Sequence, residues 1–132
     1  MDENDAAKVI VDVAYHVHSA LGPGLLETVY EVVLAHELRK RGLEVARQVP
    51  IPIVYDGLKF DEGFRADLVV GNLVIVELKS VDCLSAVHAK QLLTQLRLTK
   101  KRLGLLINFG AARLKDNIRR LANGLPKSPP EL

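Results

Sequence analysis

Nine residues separate Asp67 from Glu77-Leu78-Lys79, and both segments read as buried strands. In a strand of period two, Glu77 and Lys79 project to one face while Val76 and Leu78 project to the other. Two carboxylates and an ammonium aimed at one place among Val, Leu and Ile need compensation, because burying an unpaired charge is costly. Such groups persist by pairing, by binding a metal or by reaching a solvent cleft. Asp67 and Glu77 are hard oxygen ligands suited to Mg²⁺ or Mn²⁺, ions that keep several waters and take one or two carboxylates plus a phosphate oxygen. Lys79 would then orient or help deprotonate an attacking water and stabilise charge developing on a phosphoryl group. This is the raw material of a metal-dependent phosphodiesterase site; a strand-to-strand salt bridge among the three charges is the competing explanation.

Register decides whether the three groups can meet. A plain two-residue turn at Gly71-Asn72 would pair Val70 with Leu73 and set Asp67 opposite Val76, on the wrong face for Glu77. One extra residue, in a three-residue loop or a β-bulge, restores the constellation, so an irregularity is expected between Asp67 and Leu73.

The elements that must position these residues are legible from periodicity. Val9, Ile10, Val13, Ala14, Val17 and Leu21 follow helical spacing, and Gly22-Pro23-Gly24 ends that helix. A second amphipathic helix is expected over residues 25–41, with basic residues in its last turn and Gly42 beyond it. Residues 44–55 alternate as a strand whose Pro50 and Pro52 suit an edge or a bulge. Asp56-Gly57 signals a hairpin, residues 58–70 return, and residues 73–79 form a third strand. A helix over 84–101, a short strand over 103–108 and a last helix over 114–122 complete the order ααβββαβα. An antiparallel meander followed by an α-β crossover predicts an α/β (α+β) mixed sheet flanked by helices. One domain is expected over residues 1–125, followed by a loose Pro-rich tail over 126–132.

With 132 residues, 48% hydrophobic and 26% charged, the chain can bury a core without staples and is neither disordered nor collagen-like. The apolar runs are too short to span a bilayer, and the acidic start Met1-Asp2-Glu3-Asn4-Asp5 is unlike a signal peptide; a cytoplasmic, membrane-free protein is expected. A lone cysteine, Cys83, forbids an internal disulfide and a cysteine-based zinc site. The net charge of +2 says little, but Arg39-Lys40-Arg41, Lys100-Lys101-Arg102 and the stretch from Arg113 to Arg120 are basic clusters. Each could cap a helix or solvate its face; together they could hold a phosphate backbone.

Beyond these residues the chain resembles the restriction-endonuclease-like PD-(D/E)XK nucleases, and within them the small GxxExxY family. The segments that carry the resemblance are Gly24-Leu25-Leu26-Glu27-Thr28-Val29-Tyr30, Ala66-Asp67-Leu68-Val69-Val70, Val76-Glu77-Leu78-Lys79, His88 with Gln91-Leu92-Leu93, and Gly104 through Gly110. They fall in family order between about Val9 and Leu121. The resemblance implies a nuclease acting on DNA, or alternatively RNA, with Mg²⁺ or Mn²⁺ held by Asp67, Glu77 and the Leu78 carbonyl, and with Lys79 as catalytic lysine. It makes Glu27 a further acidic ligand or a group behind the ligands, against simple complementation of the helix dipole. Gln91 would bond a metal-bound water or a ligand carboxylate, although Gln95 stands where relatives carry a tyrosine. Tyr30 reads as a core or cleft-wall aromatic, and His88 as a phosphate contact or a solvated helix residue. A small nuclease of this kind is expected to act as a homodimer. A non-catalytic nucleic-acid-binding or partner-docking module that kept the fold is the alternative.

Overall fold

The structure is a computed structural model that describes residues 1–126. All but the first residue of the expected 126–132 tail therefore lies outside the described residues. Helix α1 (Glu3–Leu21) starts at Asp2, whose carboxylate accepts from the Asp5 N–H at 2.8 Å while Asp5 accepts from the Asp2 N–H at 3.1 Å. This reciprocal cap satisfies two orphan donors of the first turn. The helix buries Ala6, Ile10, Val13, Ala14 and Val17 as its periodicity predicts, and ends where the Gly22 N–H reaches the His18 carbonyl. Helix α2 (Glu27–Lys40) follows a tight loop.

Strands β1 (Val45–Tyr55) and β2 (Leu58–Val70) form the expected hairpin. Asp56 and Gly57 both take positive φ, +46° and +77°, the twist that joins two antiparallel strands through two residues. Strand β3 (Val74–Lys79) is antiparallel to β2, helix α3 (Ala86–Thr99) crosses over, and β4 (Leu103–Asn108) lies parallel to β3. The sheet order is β1-β2-β3-β4-β5. Helices α1 and α2 cover one face through Leu68, Val76, Leu78 and Leu105, while α3 covers the other through Ile75, Leu92, Leu96 and Leu106.

The last element corrects the sequence reading. Residues 114–122 do not form a helix; Ile118–Ala122 is strand β5, antiparallel to β4, so the order is ααβββαββ. Leu114, Ile118 and Leu121 do carry helical spacing, but Asp116 sits in left-handed backbone and Asn117 donates to the Arg113 and Lys115 carbonyls, closing a turn. Beyond it, pairing along β4 satisfies the backbone groups of a strand that is buried at every residue, a demand that outweighs local propensity.

The basic clusters are largely spent on architecture. Arg41 pairs with Asp12, Arg102 with Glu3, and Lys101 donates to Asn72, so helix ends and hairpins are tied by them.

Asn108, at the end of β4, fixes the segment that follows Lys79. Its side chain is fully buried, accepts from the Val81 and Gly110 N–H groups at 3.1 and 3.0 Å, and donates to the Val81 carbonyl at 2.9 Å. Gly110 is required beside it, since a Cβ there would lie 2.5 Å from the Val81 nitrogen. Replacing Asn108→Ala removes three bonds from buried groups and should lower unfolding free energy by about 2–4 kcal/mol in urea titrations. A loss under about 0.5 kcal/mol would show that the clamp does not hold the strand end.

Candidate active site

The β2–β3 connection contains the extra residue that the site needs. Val70 pairs with Val74, leaving Gly71, Asn72 and Leu73 as a three-residue loop, with Gly71 and Asn72 at φ +60° and +55°. Continuing the register from Leu68↔Val76 sets Asp67 across from Glu77. The regular ladder stops there because the two side chains take over its bonds. Asp67 Oδ2 accepts from the Leu78 N–H at 2.8 Å, and Glu77 Oε1 accepts from the Asp67 N–H at 3.3 Å. Lys79, two residues further on, is half-buried, and among the described residues its ammonium makes no hydrogen bond or ion pair. The competing three-way salt bridge is therefore not what the structure holds.

The two carboxylates are electrostatically unsatisfied. Burial and the neighbouring Asp67 charge push the Glu77 carboxyl up to about 7, with the Asp67 N–H and the Lys79 ammonium pulling the other way. Asp67 is raised as well, by burial first, against the Leu78 N–H, with the Glu31 and Glu27 charges adding to the rise. Like charges held together in a poorly solvated place have this signature, and a divalent cation between them relieves it. Gln95 is buried on α3 and pulls the Glu77 carboxyl downward, and its Oε1 has no hydrogen-bond partner among the described residues. Gln91 lies one turn earlier on the same helix face, exposed, and makes no hydrogen bond to Asp67 or Glu77 among the described residues. His88 accepts from the Ser85 N–H through Nδ1, so it caps α3.

Helix α2 brings further carboxylates to the strand ends. Tyr30 is fully buried, stacks on Phe109 with ring centroids 4.5 Å apart, donates to the Gly22 carbonyl and accepts from the Leu25 N–H. It thereby fixes the Gly22–Leu25 loop and the start of α2. The Ser80 hydroxyl donates to the Leu25 carbonyl at 2.7 Å and the Ser80 N–H to Glu27 Oε1 at 3.3 Å, so Glu27 is docked on the end of β3 beside Lys79. Glycine is needed in that loop, since Gly24 adopts φ +94°.

Glu31, one turn beyond Glu27 on the same helix face, was not singled out by the sequence. It is buried, yet its charge acts on Asp67. The i, i+4 spacing from Glu27 was the available signal. Its partners on β1, Arg47 and Gln48, had none: Gln48 sits in left-handed backbone at φ +52°, which no pattern announces for glutamine.

The donor set fits a hard divalent cation: two adjacent carboxylates whose ionisation burial opposes, with the Leu78 carbonyl next to Glu77 in the chain and Glu27 docked through Ser80 at the end of β3. Among the described residues no three acidic, histidine or cysteine side chains converge on one point.

A raised carboxyl favours folding while protonated, so without metal the contribution of Glu77 is full at acidic pH and is lost as pH climbs from about 4.5 to about 7. Over that window wild-type stability in EDTA should fall by roughly 3 kcal/mol relative to Glu77→Gln, and millimolar Mg²⁺ or Mn²⁺ should restore it. Parallel stability curves for the two proteins in thermal unfolding would contradict this electrostatic account.

Residues 4–121 match the family profile described as the PD-(D/E)XK nuclease superfamily. No curated protein and no solved structure matches the chain. Superfamily members generally use divalent metal ions and act on nucleic acid, and no described helix is long and apolar enough to cross a membrane. The mixed five-stranded sheet with helices on both faces is the restriction-endonuclease-like architecture, and its profile spans nearly the whole chain: the protein belongs to the PD-(D/E)XK nuclease superfamily.

Proposed function

We propose that the chain is a Mg²⁺- or Mn²⁺-dependent nuclease of the GxxExxY type that hydrolyses phosphodiester bonds of DNA, with RNA as the alternative substrate. The observation that carries this reading is the placement of Asp67 against Glu77, with the Lys79 ammonium two residues away making no ion pair among the described residues. Asp67, Glu77 and the Leu78 carbonyl would hold the ion, with Glu27 as a further acid at the end of β3. A bound ion would supply Lewis acidity toward the phosphate and make the attacking water more acidic. Lys79 orients the attacking water and steadies negative charge as the water oxygen adds to phosphorus. The attacking water gives up a proton to solvent, the phosphorus–oxygen bond to the leaving sugar breaks, and that alkoxide takes a proton from a solvent water, so that protons balance. Gln91, exposed one turn before Gln95 on the same face, would reach water or substrate there.

A homodimer is part of the proposal. The β1–β2 hairpin tip leaves Val54, Tyr55, Leu58 and Phe60 exposed, an apolar patch of the kind that copies of a chain cover for each other. The non-catalytic alternative is favoured by one observation, the absence of a third converging ligand among the described residues.

Cleavage of labelled DNA and RNA with Mg²⁺ or Mn²⁺ tests the reading. Asp67→Asn, Glu77→Gln and Lys79→Ala should each lower the rate by about 100-fold or more while far-UV circular dichroism stays native, and Glu27→Gln should cost about tenfold. Undiminished cleavage by all three central variants would discard this site, and metal-independent nucleic-acid binding without cleavage would favour the binding module.

A further inference from the structure

The Glu31–Arg47–Gln48 cluster lies beside the two central carboxylates and has no part in the chemistry described above. Glu31 is buried on α2, and one of its oxygens accepts from Arg47 Nε at 3.1 Å and Nη2 at 2.9 Å. Its other oxygen accepts from the Gln48 amide. Adjacent residues of an ordinary strand point to opposite faces. Arg47 and Gln48 converge on one carboxylate only because Gln48 takes left-handed backbone at φ +52°. The register of Arg47↔Leu68 and Val49↔Ala66 sets Gln48 across the ladder from Asp67.

The hairpin also turns over at this point. Val45, Leu68 and Val70 pack on the α1–α2 side, whereas Val49, Ile51, Phe64 and Ala66 pack on the α3 side, with no change of register between them. Strain in a non-glycine residue is retained here at the pair that includes Asp67.

The arrangement leaves Arg47 partly free. Its side chain is 35% exposed against 6% for Glu31, and with Nε and Nη2 both on Glu31, the Nη1 edge of the fork is unbonded among the described residues. A site with carboxylates at positions 27, 31, 67 and 77 repels a polyanion, and Lys79 alone cannot both serve the reaction and hold the strand. A rigidly held guanidinium one residue from the position facing Asp67 is suited to a phosphate oxygen.

We infer that Arg47 is the phosphate anchor of this site, gripping the nucleic-acid backbone beside the cleaved bond through its free Nη1 edge, with Glu31 and Gln48 as positioning residues. The inference rests on the nuclease reading and adds the residue that binds the substrate backbone.

Arg47→Ala alone would leave Glu31 buried and unpaired, so the informative variant is the double replacement Arg47→Gln with Glu31→Gln, which leaves net charge unchanged. Binding of a fluorescein-labelled duplex and its single strand is read by anisotropy in EDTA, where no cleavage occurs, over a series of salt concentrations. The double variant should weaken binding and flatten the plot of log affinity against log salt by about 0.9 for the duplex and about 0.7 for the single strand. The matching pair Arg102→Gln with Glu3→Gln, remote from the site, should leave the slope unchanged. A natively folded Arg47/Glu31 double variant with wild-type affinity and slope overturns the inference and leaves the nuclease reading standing. Wild-type protein that binds neither probe overturns the anchor, and the nuclease reading falls with it only if the wild type also cleaves neither DNA nor RNA with Mg²⁺ or Mn²⁺.

Discussion

Two carboxylates forced to share one poorly solvated place are the constraint on which the rest depends. Asp67 and Glu77 face each other because a three-residue loop, rather than a two-residue turn, joins their strands. Each then spends one oxygen on the other strand's backbone, which locks their positions but leaves their charges uncompensated. Neutralising them by a salt bridge would consume Lys79, the proposed catalytic lysine. Lys79 instead makes no ion pair among the described residues, so the excess negative charge stays in place, as the proposed cation site requires.

The scaffolding is organised around that pair. Helix α2 is docked by Tyr30 and by the Ser80 bonds so that Glu27 reaches the end of β3. Asn108 and Gly110 pin the Val81 segment from the neighbouring strand, so Lys79 leaves β3 in a fixed direction. Tyr30 stacks on Phe109, which joins these two supports into one. The glycine, glutamate and tyrosine of the α2 motif thus have separate physical tasks: left-handed backbone, a carboxylate at the strand end, and a buried hydroxyl that ties the loop.

Much of this was legible in the chain because it rests on local rules. Helix α1, the Asp56-Gly57 hairpin and the parallel β3–α3–β4 unit follow from periodicity and turn chemistry. The need for an extra residue before Leu73 followed from side-chain alternation alone. What was not legible depended on tertiary demand. Leu114 to Ala122 has helical spacing, yet the open edge of a fully buried β4 recruits Ile118–Ala122 as a strand. Glu31 lay one turn from Glu27 without being weighed, and Gln95 was noted only as a departure from a tyrosine. Arg47 and Gln48 become neighbours of Glu31 through a left-handed glutamine, a conformation that sequence does not advertise.

The central claim is that Asp67 and Glu77 are placed together to hold a divalent cation. A crystal soaked in Mn²⁺ and measured at an anomalous wavelength tests it most directly. The account predicts a single strong anomalous peak within coordination distance of Asp67, Glu77 and the Leu78 carbonyl, occupied at neutral pH. A Mn²⁺-saturated crystal with no peak there, or with the ion bound elsewhere while Asp67 and Glu77 keep their hydrogen bonds to the Leu78 and Asp67 N–H groups, would contradict it.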